Sequence, residues 1–137
     1  MSTGTVCGGK YKEKLKPRKK PSGLFGKHLF KIKGYPKRRM QRPHAHHILF
    51  KGGRGKAQKA LVKVGQKILL KHGIDPLWGK ENLTWAPNIK GQHTIEVLRE
   101  VVDELEALDD AGCGYEEIAQ VLDYHGDLAA NRGNTND

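Results

Sequence analysis

Prolines and like charges restrict what the first third of this chain can fold into. Four of its six prolines interrupt residues 1–43, namely Pro17, Pro21, Pro36 and Pro43. A proline removes a backbone donor from a helix, and neighbouring lysines and arginines repel one another. We therefore predict a basic, largely irregular arm over residues 1–42, with one candidate strand at 28–33. The core of a single small domain must then come from the residues that follow.

Charge is divided unevenly between the two parts of the chain. Residues 1–72 carry 21 of the 25 lysines and arginines and a single acid, Glu13, whereas residues 73–137 carry the other four bases and 14 acids. The formal net charges are therefore +20 and −10. This polarity suits a protein that holds a polyanion on its basic side, although a basic tail beside a solvated acidic helix gives the same counts.

Hydrophobic periodicity predicts helices and strands after the arm. Apolar residues recur at steps of three and four over 56–72 and 92–108, which indicates two amphipathic helices. Gly73 stands where a left-handed helix end is expected. Short β-prone runs at 46–50 and 83–86 are followed by glycine or proline, and they predict two strands.

The acidic segment at 111–137 is expected to add one short helix at 115–124 and a loose polar tail from residue 129. The chain has no run of about 18 apolar residues, the length that a membrane span requires. It also shows no apolar stretch behind its N-terminal lysines. We therefore expect neither a membrane span nor a secretory signal peptide.

Four short motifs lie along the predicted core. In chain order they are HAHHILF at 44–50, KHGID at 71–75, ENLTWAP at 81–87 and GQHT at 91–94. Together they resemble the AHH nucleases, a branch of the HNH or His-Me finger superfamily named for an Ala-His-His signature, here at 45–47. The resemblance covers roughly residues 43–108 and implies an α+β fold with a small ββα-metal core and extra helices. The chain then divides into the basic arm at 1–42, a nuclease core at 43–110 and the acidic C-terminal helix and tail at 111–137.

The resemblance implies a role for each matching residue. His47 matches the general base that draws a proton from the attacking water, which suits an imidazole because its ordinary pKa is about 6.5. His46 and His93 match metal ligands, and Asn82 matches the asparagine that braces the loop and orients the base. The metal would neutralise the scissile phosphate and stabilise charge on the leaving oxygen.

Two further residues are accessory candidates. His44 is two positions before His46, so it could reach the same face of a strand or contact a phosphate instead. Asn88 occupies a place near His93 where many relatives carry another histidine. Adjacent strand residues face opposite sides, so His46 and His47 can share one site only if the backbone bends there. A metal held by two histidines would keep several waters, which favours Mg²⁺ or Mn²⁺, with Zn²⁺ or Ni²⁺ as alternatives.

The resemblance thus implies a metal-dependent endonuclease that hydrolyses DNA. No base-reading motif is visible, so we expect little sequence specificity. Phosphate contacts are expected from eight basic residues: Lys19, Lys20, Lys37, Arg38, Arg39, Arg42, Lys51 and Arg54. Acids beside a phosphate site would repel substrate, so Asp103, Glu104 and Glu106 should lie away from the cleft of His47.

AHH domains resemble the toxic ends of bacterial polymorphic toxins. This implies export by a dedicated secretion system, action in the cytoplasm of a target cell and an acidic immunity protein as partner. No small-molecule cofactor is expected. An RNase remains an alternative because a general-base histidine could also activate a 2′-hydroxyl. A non-catalytic basic nucleic-acid-binding protein would explain the charge but has no use for the histidine pair.

Overall fold

The computed structural model describes residues 24–133, a range that contains two strands and four α-helices. The elements are α1 (Phe25–Lys33), β1 (Pro43–His47), α2 (Gly55–Lys71), a 3-10 turn (Lys80–Asn82), β2 (Leu83–Pro87), α3 (Ile95–Asp110) and α4 (Tyr115–Asn131). The two strands pair antiparallel, with His44 opposite Ala86 and His46 opposite Thr84. The predicted α+β class is therefore confirmed.

The segment predicted as a strand at 28–33 is helical, so that prediction is wrong. Phe25 and Leu29 are four residues apart, and α1 buries both on one face, where Leu29 is fully enclosed. The Nζ of Lys33 donates to the carbonyl of Leu83 at 2.5 Å, which ties the end of α1 to β2. The arm is therefore not irregular throughout 1–42. Its first 23 residues lie outside the described range.

The first strand begins earlier than predicted. It spans Pro43–His47 rather than 46–50. The N–H of Ile48 still donates to the carbonyl of Asn82, which stands opposite it in the register, whereas that of Leu49 donates to the Asn82 side chain. The strand therefore ends here, and Ile48, Leu49 and Phe50 enter the core. The second strand agrees with the prediction to within one residue.

Helices α2 and α3 form the main packed layer. The prediction of α2 is confirmed, and Gly73 has the expected left-handed backbone, with φ of 78°. Helix α3 begins three residues later than predicted, because the side chain of Thr94 caps it by accepting from the N–H of Val97 at 3.1 Å. The two helices contribute to one apolar core through Val62, Ile68, Leu69, Leu98, Val102 and Leu105.

Helix α4 is longer than predicted and covers β2. It continues to Asn131 because Ala129 is buried, so the loose tail does not begin at residue 129. Gly126 permits close packing, since a Cβ there would lie 3.0 Å from the Ile48 side chain. The acidic C-terminal segment is thus part of the packed domain as far as it is described. None of the helices within 24–133 is long and apolar enough to cross a membrane.

Candidate metal centre and cleft

Three histidines converge at one end of the strand pair. His44 and His46 are two residues apart on β1, so their side chains share a face, and His93 meets them from the turn before α3. Their ring centroids are 5.2 to 5.8 Å apart. One ligand nitrogen from each ring lies within 4.8 Å of the other two. This group could hold a metal ion.

The donor atoms of this group fit a metal. Within the described residues, the buried Nε2 of His44 and Nδ1 of His46 have no hydrogen-bond partner. A buried polar atom without a partner is costly, and an ion between the rings would satisfy both atoms. The Nδ1 of His44 donates to the carbonyl of Ala86 at 2.9 Å. That bond fixes the tautomer and leaves Nε2 with the lone pair a ligand needs.

Electrostatics keep the three imidazoles neutral. Burial lowers the pKa of His46 well below its ordinary value, and the neighbouring His93 and His44 lower it further. Burial is also the main reason that the pKa of His44 is lowered, with Lys51 adding to the effect. The pKa of His93 is lowered by burial, by His44 and by Arg54. At neutral pH these lowered pKa values favour the uncharged form of all three rings, which is the form that binds metal.

A buried glutamine positions His93. The Nε2 of Gln92 donates to the carbonyls of Pro87 at 3.0 Å and Ala129 at 2.8 Å, and its Oε1 accepts from Arg132 at 2.7 Å. These bonds fasten the turn before α3 to the end of β2 and to α4. The helix predicted over 92–108 would hold His93 in its first turn, whereas His93 precedes the capping Thr94. Sequence reasoning missed Gln92, and no local signal marks it.

His47 is anchored by its surroundings at the end of β1. Its Nε2 donates to the carbonyl of Leu77 at 3.0 Å, and its ring meets that of Phe25 edge-on at 4.5 Å. Phe25 also packs on Trp78, with ring centroids 4.4 Å apart. Helix α1 and the loop at 75–79 therefore hold the imidazole from two sides. Sequence reasoning missed Phe25, because the segment that carries it was taken as irregular.

The histidines open onto a shared cleft of about 360 Å³. His44 and His93 line it together with His47, Phe50 and Asn88, while His46 is buried beside them with 2% of its surface exposed. His46 does not line the cleft, although its neighbour His47 does. His44 and His93 extend the His46 group into the cleft that His47 also lines. The structure thus brings the accessory candidates His44 and Asn88 to the same place.

Basic residues dominate the charged lining of this cleft. Among the described residues, Lys51 and Arg54 line it and no acid does, so Asp103, Glu104 and Glu106 lie outside it, as the sequence predicted. Arg42 lies near the rim, where its Nη2 donates to the carbonyl of Asn88 at 3.4 Å.

The other predicted phosphate-binding residues are more distant from the site. Arg38 bonds to Asn131 of α4, and it lines a separate cavity together with Lys37. Arg39 lines a third cavity beside Pro87 and Ile89. Lys19 and Lys20 fall outside the described residues. Of the eight, the structure therefore gathers Lys51 and Arg54 at the cleft, with Arg42 beside them.

Asn82 braces the loops behind the cleft. It is fully buried, its Oδ1 accepts from the N–H of Leu49 at 2.7 Å, and its Nδ2 donates to the carbonyls of Leu49 at 3.0 Å and Pro76 at 2.8 Å. Pro76 precedes Leu77, whose carbonyl accepts from His47. Asn82 and His47 are thus bonded to adjacent residues of the same loop.

Replacing Asn82 with alanine is expected to lower the free energy of unfolding by roughly 3 kcal/mol or more. The change leaves three buried backbone groups of Leu49 and Pro76 without a hydrogen-bond partner. Each unsatisfied group costs about 1–3 kcal/mol. Asn82→Asp should also destabilise, because it sets a carboxylate against two carbonyl oxygens. Denaturant unfolding measures both. A loss below about 1 kcal/mol in Asn82→Ala, as at an ordinary surface site, would show that the loops do not depend on this amide.

Comparison with known proteins adds nothing to this geometry. Comparisons of the chain with protein-family models, with curated proteins and with solved structures gave no match. The case for a function therefore depends on the residues of the cleft and on the sequence motifs.

Proposed function

We propose that this chain is a metal-dependent endonuclease that hydrolyses phosphodiester bonds of DNA, built on a ββα-metal core. The observation that carries the proposal is the cleft itself. Three neutral imidazoles, two of which have an unpartnered buried nitrogen, gather beside an anchored His47, and the charged lining residues within 24–133 are Lys51 and Arg54. The resemblance of the histidine and asparagine motifs to the AHH nucleases supports the same reading.

Each group of residues in and beside the cleft would have a separate role in hydrolysis. A divalent ion held by His44, His46 and His93 would supply Lewis-acid stabilisation of the scissile phosphate. His47 would take the proton of the attacking water at Nδ1, because its Nε2–H is committed to the carbonyl of Leu77. Lys51 and Arg54 would attract and orient the phosphate backbone through their charge.

The imidazole of His44, as a third ligand beside His46 and His93, affects which metal ion the site would prefer. A site of only His46 and His93 would favour Mg²⁺ or Mn²⁺ with several waters. A set of three histidines suits borderline ions such as Zn²⁺ or Ni²⁺ better, because Mg²⁺ and Mn²⁺ prefer oxygen ligands. A three-histidine set with an open position is also the pattern of catalytic rather than structural zinc sites. We therefore place Zn²⁺ and Ni²⁺ before Mg²⁺ and Mn²⁺ in the proposal.

The experiment incubates the purified chain with plasmid DNA and with RNA of matched length, each with added metal and with EDTA. We expect metal-dependent nicking of plasmid that EDTA abolishes. Cleavage of RNA alone that persists in EDTA would overturn the proposal in favour of a metal-free RNase. Binding of both nucleic acids without cleavage under any metal would favour the non-catalytic binding protein.

The resemblance to toxin domains extends this proposal to the biological setting. We propose an exported effector that acts in the cytoplasm of a target cell and is neutralised by an acidic immunity protein. The basic cleft lining at Lys51 and Arg54 would give such a partner a complementary surface.

A further inference from the structure

The solvent face of α2 carries a row of lysines that the proposed chemistry does not use. Its members follow one another at steps of three and four residues, so they lie on one side of the helix. All are exposed: Lys56, Lys59, Lys63 and Lys67. The buried residues of the same helix, including Val62, Gly65 and Leu69, lie on the opposite side. The row therefore faces away from the core.

No acid within 24–133 forms an ion pair with this row. Helix α2 contains no Asp or Glu, and Lys71, its last residue, is the only residue of the helix that forms an ion pair with another described residue, Asp109 at 3.0 Å. Like charges three or four residues apart destabilise a helix. The solvent-exposed faces of helices in soluble proteins usually carry both positive and negative side chains. Repulsion between these lysines thus destabilises the helix, and they form no ion pair with another residue of 24–133. Such a face is expected where a protein binds an external polyanion.

The row begins at the edge of the cleft. Gly53 and Arg54 line the cleft, and α2 starts at the next residue. A helix rises about 1.5 Å per residue, so the axis from Arg54 to Lys67 spans about 20 Å. One strand of a DNA duplex rises about 3.4 Å per nucleotide. The lysines could therefore follow about six nucleotides leading away from the cleft.

We propose that Arg54, Lys56, Lys59, Lys63 and Lys67 form a track that binds the sugar-phosphate backbone on one side of the scissile bond. The proposal depends on the proposed function for the role of the cleft. Beyond the proposed function, the track implies that the substrate is a polymer bound over several nucleotides rather than a short phosphodiester. The binding is independent of sequence, because ammonium groups on an exposed helix face contact phosphate oxygens and not base edges.

The composition of this face favours nucleic acid over a lipid surface. A helix that lies on a membrane presents apolar side chains beside its basic ones. Within the described residues, the exposed large hydrophobic side chains lie around α1 and at Tyr124, and none belongs to α2. The face therefore offers charge without the apolar contact that membrane binding requires.

The test compares two variants that lose the same charge. Lys63→Gln/Lys67→Gln removes the far end of the track, whereas Lys31→Gln/Lys80→Gln removes two exposed lysines of α1 and of the turn before β2. Binding to a duplex longer than the track is titrated in EDTA at several salt concentrations. In the track variant we expect the slope of log affinity against log salt to become shallower by about two units. Affinity should fall roughly tenfold or more at about 0.1 M salt, and the control should change far less.

Cleavage assays separate the track from the cleft. The track variant should cleave a small chromogenic phosphodiester as the parent does, while its kcat/KM on a long duplex falls through KM. An unchanged salt slope, or equal losses in both variants, would overturn the track. Loss of binding to phosphatidylserine vesicles without loss of duplex binding would also overturn it. A parent that cleaves neither substrate with metal would refute the proposed function, while the EDTA titration would still decide the track.

Discussion

Replacing His47 with alanine is expected to slow phosphodiester cleavage by about 10²- to 10⁴-fold, the usual contribution of general-base assistance. Because the Nε2–H of His47 donates to the carbonyl of Leu77 at 3.0 Å, Nδ1 carries the lone pair in the neutral ring and is the atom that would accept the proton. His44, His46 and His93 remain in place, so metal affinity should change little. Single-turnover cleavage of saturating duplex, with a parallel metal titration, measures both effects.

His47→Gln is the matched control for this prediction. A glutamine amide can still donate to the carbonyl of Leu77, but it has no basic nitrogen. If both variants lose activity equally and keep the parent's thermal midpoint, the loss reflects proton transfer rather than the lost anchor to Leu77. Near-parental cleavage in either variant would show that another group activates the water.

Local pattern was sufficient for some elements of the fold and not for others. Helix α2 follows from apolar spacing and a terminal glycine, both of which act within one turn. Helix α1 could not be found in this way, because only Phe25 and Leu29 of the helix are buried. The helix packs on the two strands, which follow it in the chain, and Phe25 contacts the ring of His47. The early end of β1 has a similar cause, since it is imposed by Asn82, 33 residues beyond its partner Leu49.

In the candidate site, too, some residues could be predicted from local pattern, whereas the positions of others depend on tertiary contacts. The motifs singled out His46, His47, Asn82 and His93, and strand alternation made His44 a candidate on the face of His46. The sequence pattern could not predict whether the ring of His44 would lie close to that of His93. The distance between the two rings depends on the turn that the hydrogen bonds of Gln92 hold in place. The anchoring of His47 likewise depends on tertiary contacts with Leu77 and Phe25.

Loss of His44 is expected to weaken metal binding by more than the 10- to 100-fold that loss of a second-shell partner typically costs. The Nε2 of His44 is buried without a hydrogen-bond partner within 24–133, and the bond from Nδ1 to Ala86 aims it at the other two rings. His44→Ala would leave two imidazoles, and water would have to fill the vacated position. Calorimetric titration with Zn²⁺ and Ni²⁺ at neutral pH measures the change independently of cleavage.

His72→Ala serves as the control, because His72 lies at the far end of α2 and bonds to Asp109 at 2.9 Å. It should keep the parent's metal affinity although it removes the same side chain. If His44→Ala keeps that affinity while His46→Ala and His93→Ala lose it, the metal is held by two histidines and waters. The preference would then return to Mg²⁺ or Mn²⁺, because the additional imidazole is what favours softer ions. Parental affinity in all three variants would move the metal away from this cleft altogether.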